Sequence, residues 1–171
     1  SYNGDGGAIY AGSNSIMVVS SSLFMENTAS NDGGAIYGGN FKNLTVNNNI
    51  FLNNTGNKEI YLYKEGNVDF EYNLDCNWFG NNATDYNIDN NKPQVGSNVP
   101  DLKFDNWLFL KATNTTDTVT VFNTSNITFK LCLYNSTATA DDKVFDYDNT
   151  QLYPINLNIT SSKGTVDKKT T

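Results

Sequence analysis

Carboxylates are the side chains in this sequence best suited to chemistry. Asp5, Asp32, Glu59, Glu65, Asp69, Glu71 and Asp75 all fall in its first half. Paired carboxylates cleave glycosidic bonds, and clustered ones hold calcium. Either use requires several of them to converge on one face. Asp5 and Asp32 lie 27 residues apart beside repeated glycines, so they stack as a corner pair. Stacked carboxylates repel unless water or a cation lies between them. A weak calcium site is one account of the pair; solvated turn residues are the account we prefer. Asp69 and Glu71 share the outward face of one strand, the ordinary place for solvated acids. The sequence has no His, and its 11 basic residues are all Lys. A nucleophile–base pair would therefore need Lys or a carboxylate as the base. Neither NGDGG nor NDGG reads as a phosphate loop, because no Lys-Ser/Thr follows and no βαβ unit surrounds it. The reading is a protein that is not an enzyme, with no catalytic, cofactor or metal site.

Other reactive groups are few. Cys76 and Cys132 are the only cysteines. One disulfide joining the two halves is an alternative to the preferred reading, in which Cys76 packs as a small buried thiol. Two cysteines without His do not make a zinc site. Eight Asn-x-Ser/Thr sequons are glycosylation candidates: Asn43, Asn53, Asn82, Asn114, Asn123, Asn126, Asn135 and Asn158. The net charge of −7 and the absence of Arg remove the basic footprint that nucleic acids require. No apolar run approaches the ~20 residues of a membrane-spanning helix. Asn stands at 29 positions, part of which fits the codon bias of an AT-rich genome.

These residues are carried on a repeat. SLFMENTA (Ser22–Ala29), NIFLNNTG (Asn49–Gly56) and CNWFGNNA (Cys76–Ala83) recur every 27 residues. GGAIY at Gly6–Tyr10 returns at Gly33–Tyr37 with the same spacing. A fixed period of this size signals a solenoid. The spacers are Asn, Ser, Thr and Gly, which oppose helix interiors. The apolar residues alternate, as in Leu44 and Val46 or Val68, Phe70, Tyr72 and Leu74, and alternation is the strand period. The expected fold is all-β: a right-handed parallel β-helix of about three coils. Its interior would hold an aromatic column of Phe24, Phe51 and Trp78, and an aliphatic one of Ile9, Ile36 and Ile60. Asn27, Asn54 and Asn81 would form a corner ladder, since Asn tolerates left-handed backbone. The paired glycines suit a bend lying close to its neighbour.

The third coil departs from the pattern. Lys58–Glu59 replace the glycine pair, and the strand fits a shift of 26, Leu44 to Phe70 and Val46 to Tyr72. That reads as a last coil modified to end the stack. Because SYNGDGGAIY begins inside a repeat, more coils are expected upstream. Residues 1–83 form the coils, 84–101 a linker or cap with Tyr86 and Ile88 over the last coil, and 102–171 a second domain. There, Trp107–Ala112, Val119–Phe122, Ile127–Tyr134, Val144–Tyr147, Leu152–Ile155 and Leu157–Ile159 read as short strands. Their spacing suggests an immunoglobulin-like antiparallel sandwich, short enough at about 70 residues, against the usual ~100, to be incomplete.

GGAIY, F-x-x-N-x-A and CNWFGNN (Cys76–Asn82), followed by a strand beginning Asn106–Trp107, resemble the adhesin-like surface proteins of methanogenic archaea. In those proteins β-helix coils lead into bacterial immunoglobulin-like domains. The resemblance implies a secreted, cell-surface or cell-wall protein that contacts other cells, matrix or glycans without catalysis and without inserting into the membrane. The alternative is a subunit of an extracellular filament or sheath, binding neighbouring copies of itself by coil stacking or strand exchange.

Overall fold

The computed structural model describes residues 4–65, 71–82, 95–99, 102–114, 123–139, 143–152 and 154. Those residues are all-β, with parallel sheets compatible with a β-helix-like fold, and contain no α-helix. The first coil supplies β1 (Ile9–Ala11), β2 (Ile16–Ser20) and β3 (Leu23–Met25). The second supplies β4 (Ile36–Gly39), β5 (Asn43–Asn47) and β6 (Ile50–Leu52), and the third β7 (Ile60–Tyr63), β8 (Tyr72–Asn73) and β9 (Asn77–Asn82). Each strand pairs in parallel with the strand three places on, so three sheets grow together: β1-β4-β7, β2-β5-β8 and β3-β6-β9. The 27-residue period holds throughout the first step, with Ile9 opposite Ile36, Ile16 opposite Asn43 and Leu23 opposite Ile50.

The second step breaks the period in compensating directions. Ile36 pairs with Ile60, a shift of 24, while Leu44 pairs with Tyr72 and Ile50 with Trp78, shifts of 28. The expected shift of 26, with Tyr72 opposite Val46, is corrected to 28. An even error leaves the buried face unchanged, and Tyr72 is still fully buried. The expected return to 27 at Trp78 is off by one, and an odd error reverses the faces. Trp78 therefore leaves the aromatic column, and Phe79 takes its place. Phe24 and Phe51 stack at 4.8 Å and 5°, and Phe51 and Phe79 at 5.1 Å and 14°. The column continues edge-on through Phe104 to Trp107 and Tyr134.

The third coil does not end the stack. Residues Val95–Ser97 form β10 and pair in parallel with β7; Leu102–Lys103 form β11 and pair with β8. β12 (Asn106–Asn114) pairs in parallel with β9, placing Trp107 opposite Asn77. The ranges read as linker and second domain thus contribute a further strand to each sheet. Antiparallel strands follow as expected: β13 (Ile127–Asn135) pairs with β12 and β14 (Val144–Asp146) with β13. All three lie in the one sheet that contains β3, β6 and β9, so the described residues do not form a two-sheet sandwich. The expected strands Val119–Phe122 and Leu157–Ile159, the residues Tyr86 and Ile88, and part of Leu152–Ile155 lie outside the described residues.

β13 alternates apolar and polar residues, and both of its faces are covered at one end. Cys132 and Tyr134 enter the main core, while Leu131 and Leu133 join Ile50, Trp78, Leu108, Tyr147 and Leu152 in a second cluster. The segment after β14 folds back over that outer face. Tyr147 Oη donates to Asn48 Oδ1, and Ser21 Oγ donates to the Gln151 carbonyl at 2.6 Å. This cover keeps Trp78 only 5% exposed although it points away from the aromatic column.

Candidate functional site

Alternation along the first strand of each coil puts Ile inside and Tyr outside. Ile36 and Ile60 are fully buried, and Tyr10, Tyr37 and Tyr61 stand next to the three isoleucines on the opposite face. In-register pairing, Tyr10 opposite Tyr37 and Tyr37 opposite Tyr61, then stacks the rings. Their centroids are 5.4 Å and 5.6 Å apart, with interplanar angles of 14° and 11°. Tyr63 joins the same face, 5.6 Å from Tyr37 and tilted by 43°. Tyr10, at one end, is 43% exposed.

Two glycines shape this face. Gly39 lies opposite Tyr63, and Gly96 lies opposite Tyr61. A Cβ on Gly96 would sit 2.7 Å from Tyr61 Cδ2 and 2.8 Å from Lys58 Cγ. Only side-chain atoms are in the way there, so the missing methyl lets the Tyr61 ring and the Lys58 stem lie over the β10 backbone. Electrostatics keep the face neutral in itself but acidic at its rim. Burial, then the Asp5 charge, then the neighbouring tyrosines push the Tyr37 phenol above its ordinary range. Burial, Tyr10 and the Glu65 charge do the same for Tyr63. The Tyr37 and Tyr63 phenols therefore stay protonated at neutral pH, available as donors and acceptors.

The expected acidic residues occupy separate structural positions. Asp5 and Asp32 do stack at a corner, where Asp5 Oδ1 accepts the Asp32 N–H at 3.2 Å. Asp75 is buried, and its Oδ1 accepts the N–H groups of Asp105 and Asn106 at 2.9 and 3.0 Å, tying the start of β12 to the third coil. Lys103 Nζ lies 3.7 Å from its other oxygen. Glu59 is half-buried and accepts from Asn54 Nδ2 at 3.2 Å; burial raises its pKa against the opposing effect of that bond. Glu65 and Glu71 are exposed, and Asp69 is outside the described residues. Among the described residues, no three His, Cys, Asp or Glu side chains group closely enough to hold a metal ion.

The Asn ladder is present between Asn27 and Asn54, with Asn27 Nδ2 donating to Asn54 Oδ1 at 2.8 Å. The side chain of Asn81 is outside the described residues. Left-handed backbone at this corner belongs to the preceding residues, Glu26 (φ 57°) and Asn53 (φ 54°), and not to Asn27 and Asn54. A second amide ladder, fully buried, was not read from the sequence. Asn49 Oδ1 accepts the Ser22 N–H, and Asn77 Oδ1 accepts the Asn49 N–H, both at 3.0 Å. Among the sequons, Asn43, Asn53, Asn114, Asn123 and Asn126 are exposed. Asn135 is half-buried, with its Oδ1 taken by the Thr137 N–H and hydroxyl. The side chains of Asn82 and Asn158 are outside the described residues. No disulfide joins Cys76, which is half-buried, to Cys132, which is buried.

The tyrosine face was missed, although its signal lay in the repeat itself. GGAIY ends in Tyr at both copies, and Ile60-Tyr61 continues it. Among the described residues, no helix is long and apolar enough to cross a membrane. No family model, curated protein or solved structure matches this chain.

Proposed function

We propose that this chain is a non-catalytic, adhesin-like display module of an extracellular cell surface, and that its coils form a right-handed parallel β-helix. The observation that carries the reading is the tyrosine face: three aromatic residues, one per coil, held outward in register on a rigid scaffold. Aromatic side chains are enriched where proteins bind partners, because they offer large contact area at small entropic cost. Stacked coils repeat that contact at a fixed spacing, which suits attachment to an extended partner on another cell or in matrix. Five exposed sequons fit a glycosylated surface protein. The immunoglobulin-like part of the reading would require a second sheet contributed from outside the described residues.

The test is binding of fluorescently labelled protein to whole cells and to immobilised matrix. Saturable binding supports display; no binding to either refutes it. A filament subunit, joining copies by coil stacking or strand exchange, is the second reading. Linear polymers in electron micrographs would select it over a monomeric display module.

A further inference from the structure

We propose that the outward tyrosine face binds a neutral, extended, β-linked polysaccharide that lies along the stacking direction, one sugar to each coil. This inference rests on the display reading and supplies its ligand class. Tyr10, Tyr37 and Tyr61 repeat at 5.4 and 5.6 Å, close to the advance per sugar ring in an extended β-linked chain. A periodic protein surface and a periodic polymer of similar repeat gain a contact at every step. Each coil offers an apolar ring edge and a phenolic hydroxyl, which match the C–H faces and hydroxyls of a pyranose. The rings already brace one another, so little rotamer freedom is left to lose on binding.

Charge narrows the ligand. Asp5 and Glu65 both act on the face, and the chain carries −7 overall. With Lys58 the cation placed beside Tyr61, the net charge of −7 still repels uronate-rich polymers and nucleic acids and leaves neutral glycans unaffected. Gly96 ends the tyrosine series and shapes the last position. Its missing side chain lets the Tyr61 ring lean over the β10 backbone instead of standing against a fourth side chain.

Affinity electrophoresis of the whole chain in gels containing hydroxyethylcellulose tests the proposal, with polygalacturonate as the anionic comparison. The wild type is expected to be retarded by the neutral polymer only. Tyr37→Ala, which removes the central ring, is expected to weaken retardation by about tenfold, the order expected for the apolar contact of one partly buried ring. Tyr37→Phe keeps the ring and should retain most of the binding. Gly96→Ala, whose Cβ would displace the Tyr61 ring and the Lys58 stem, should weaken binding while Tyr10 and Tyr37 keep their places. Val18→Ala, exposed on another sheet, should leave retardation unchanged. Equal retardation of wild type and Tyr37→Ala, no retardation of wild type, or preference for polygalacturonate would each overturn the proposal. Whole-cell binding separates this failure from that of the display reading: cells still bound by Tyr37→Ala leave display standing and remove this face as its surface.

Discussion

Asn49→Asp changes one atom type at one of the two fully buried amide side chains among the described residues. Asn49 is fully buried. Its Nδ2 donates to the carbonyls of Val19 and Asn47, both at 2.9 Å, and approaches Asn77 Oδ1 at 3.1 Å. Its Oδ1 accepts the Ser22 N–H at 3.0 Å. Asn49→Ala leaves one N–H and two carbonyls without this partner, and at about 1 kcal/mol for each bond the loss is about 3 kcal/mol. Aspartate keeps the shape and the acceptor for Ser22, but turns a bare oxygen toward three acceptors. An uncompensated buried charge costs about 3–5 kcal/mol, so at pH 7 Asn49→Asp should be less stable than Asn49→Ala. Protonation restores one donor. The folded-state pKa of the new carboxyl must therefore lie above the unfolded value of ~3.9. A raised folded pKa means the native state binds the extra proton, so the deficit grows as pH rises through that pKa and shrinks as pH falls. Urea unfolding followed by Trp fluorescence at pH 7 and pH 4.5 reads both effects. An Asp variant within about 1 kcal/mol of wild type at pH 7, or a deficit that does not change with pH, would refute the buried amide ladder.

Glu59→Gln should stabilise the protein at pH 7, because burial holds the native carboxyl above its ordinary range. The advantage should fade as pH falls through the raised folded pKa toward the unfolded value of ~4.3, below which wild-type Glu59 is protonated in both states; melts across pH 3–8 check this. Phe79→Ala, which removes the ring between Phe51 and Phe104, should cost about 3–5 kcal/mol in urea unfolding and leave the Trp78 cluster in place. Burial and the Asp75 charge raise the Cys76 thiol, against a smaller lowering by Lys103. Thiol titration at pH 8 should therefore find Cys76 slow in the native state and Cys132 reactive only after unfolding, with no disulfide by mass spectrometry.

How much of this was legible depended on parity. The repeat identified the strand type, the Ile9–Ile36 pairing, the Phe24–Phe51 contact and the Asn27–Asn54 bond, since each is a same-residue match at a spacing of 27; Ile60 joined the isoleucine stack by residue type, at a spacing of 24. Tyr72 was placed on the correct face through a wrong register, because the error was two residues. Trp78 was placed on the wrong face through an error of one. Aromatic identity misled: Trp78 aligns with Phe24 and Phe51 by count, yet Phe79 is the ring that meets them. The fourth set of strands was hidden because β10, β11 and β12 repeat none of the earlier motifs. They pair with the third coil through backbone groups at shifts of 35 for Val95 opposite Ile60 and 30 for Leu102 opposite Tyr72.

The extra residues are absorbed at corners, and the corners explain why the stack survives them. Ser21, Asn48 and Cys76 all hold positive φ, at 50°, 56° and 62°. They also share one bond pattern: the Ser21 N–H reaches the Asn48 carbonyl at 3.1 Å, and the Asn48 N–H reaches the Cys76 carbonyl at 3.0 Å. The spacing is 27 in the first step and 28 in the second, so the corner was conserved while the count was not. Left-handed backbone disfavours most L-residues, with Asn among the tolerant ones. Cys76 has no such tolerance, and it is held there because Asp75 on one side accepts the N–H groups of Asp105 and Asn106, and Asn77 on the other accepts the buried Asn49 N–H of the second coil. The backbone at a corner is thus fixed by what its flanking residues bind, and the strand that follows inherits its face from the corner. Trp78 faces outward for that reason: two residues after a left-handed Cys76 in one coil is the place that Ile50, two residues after a left-handed Asn48, fills in the coil before.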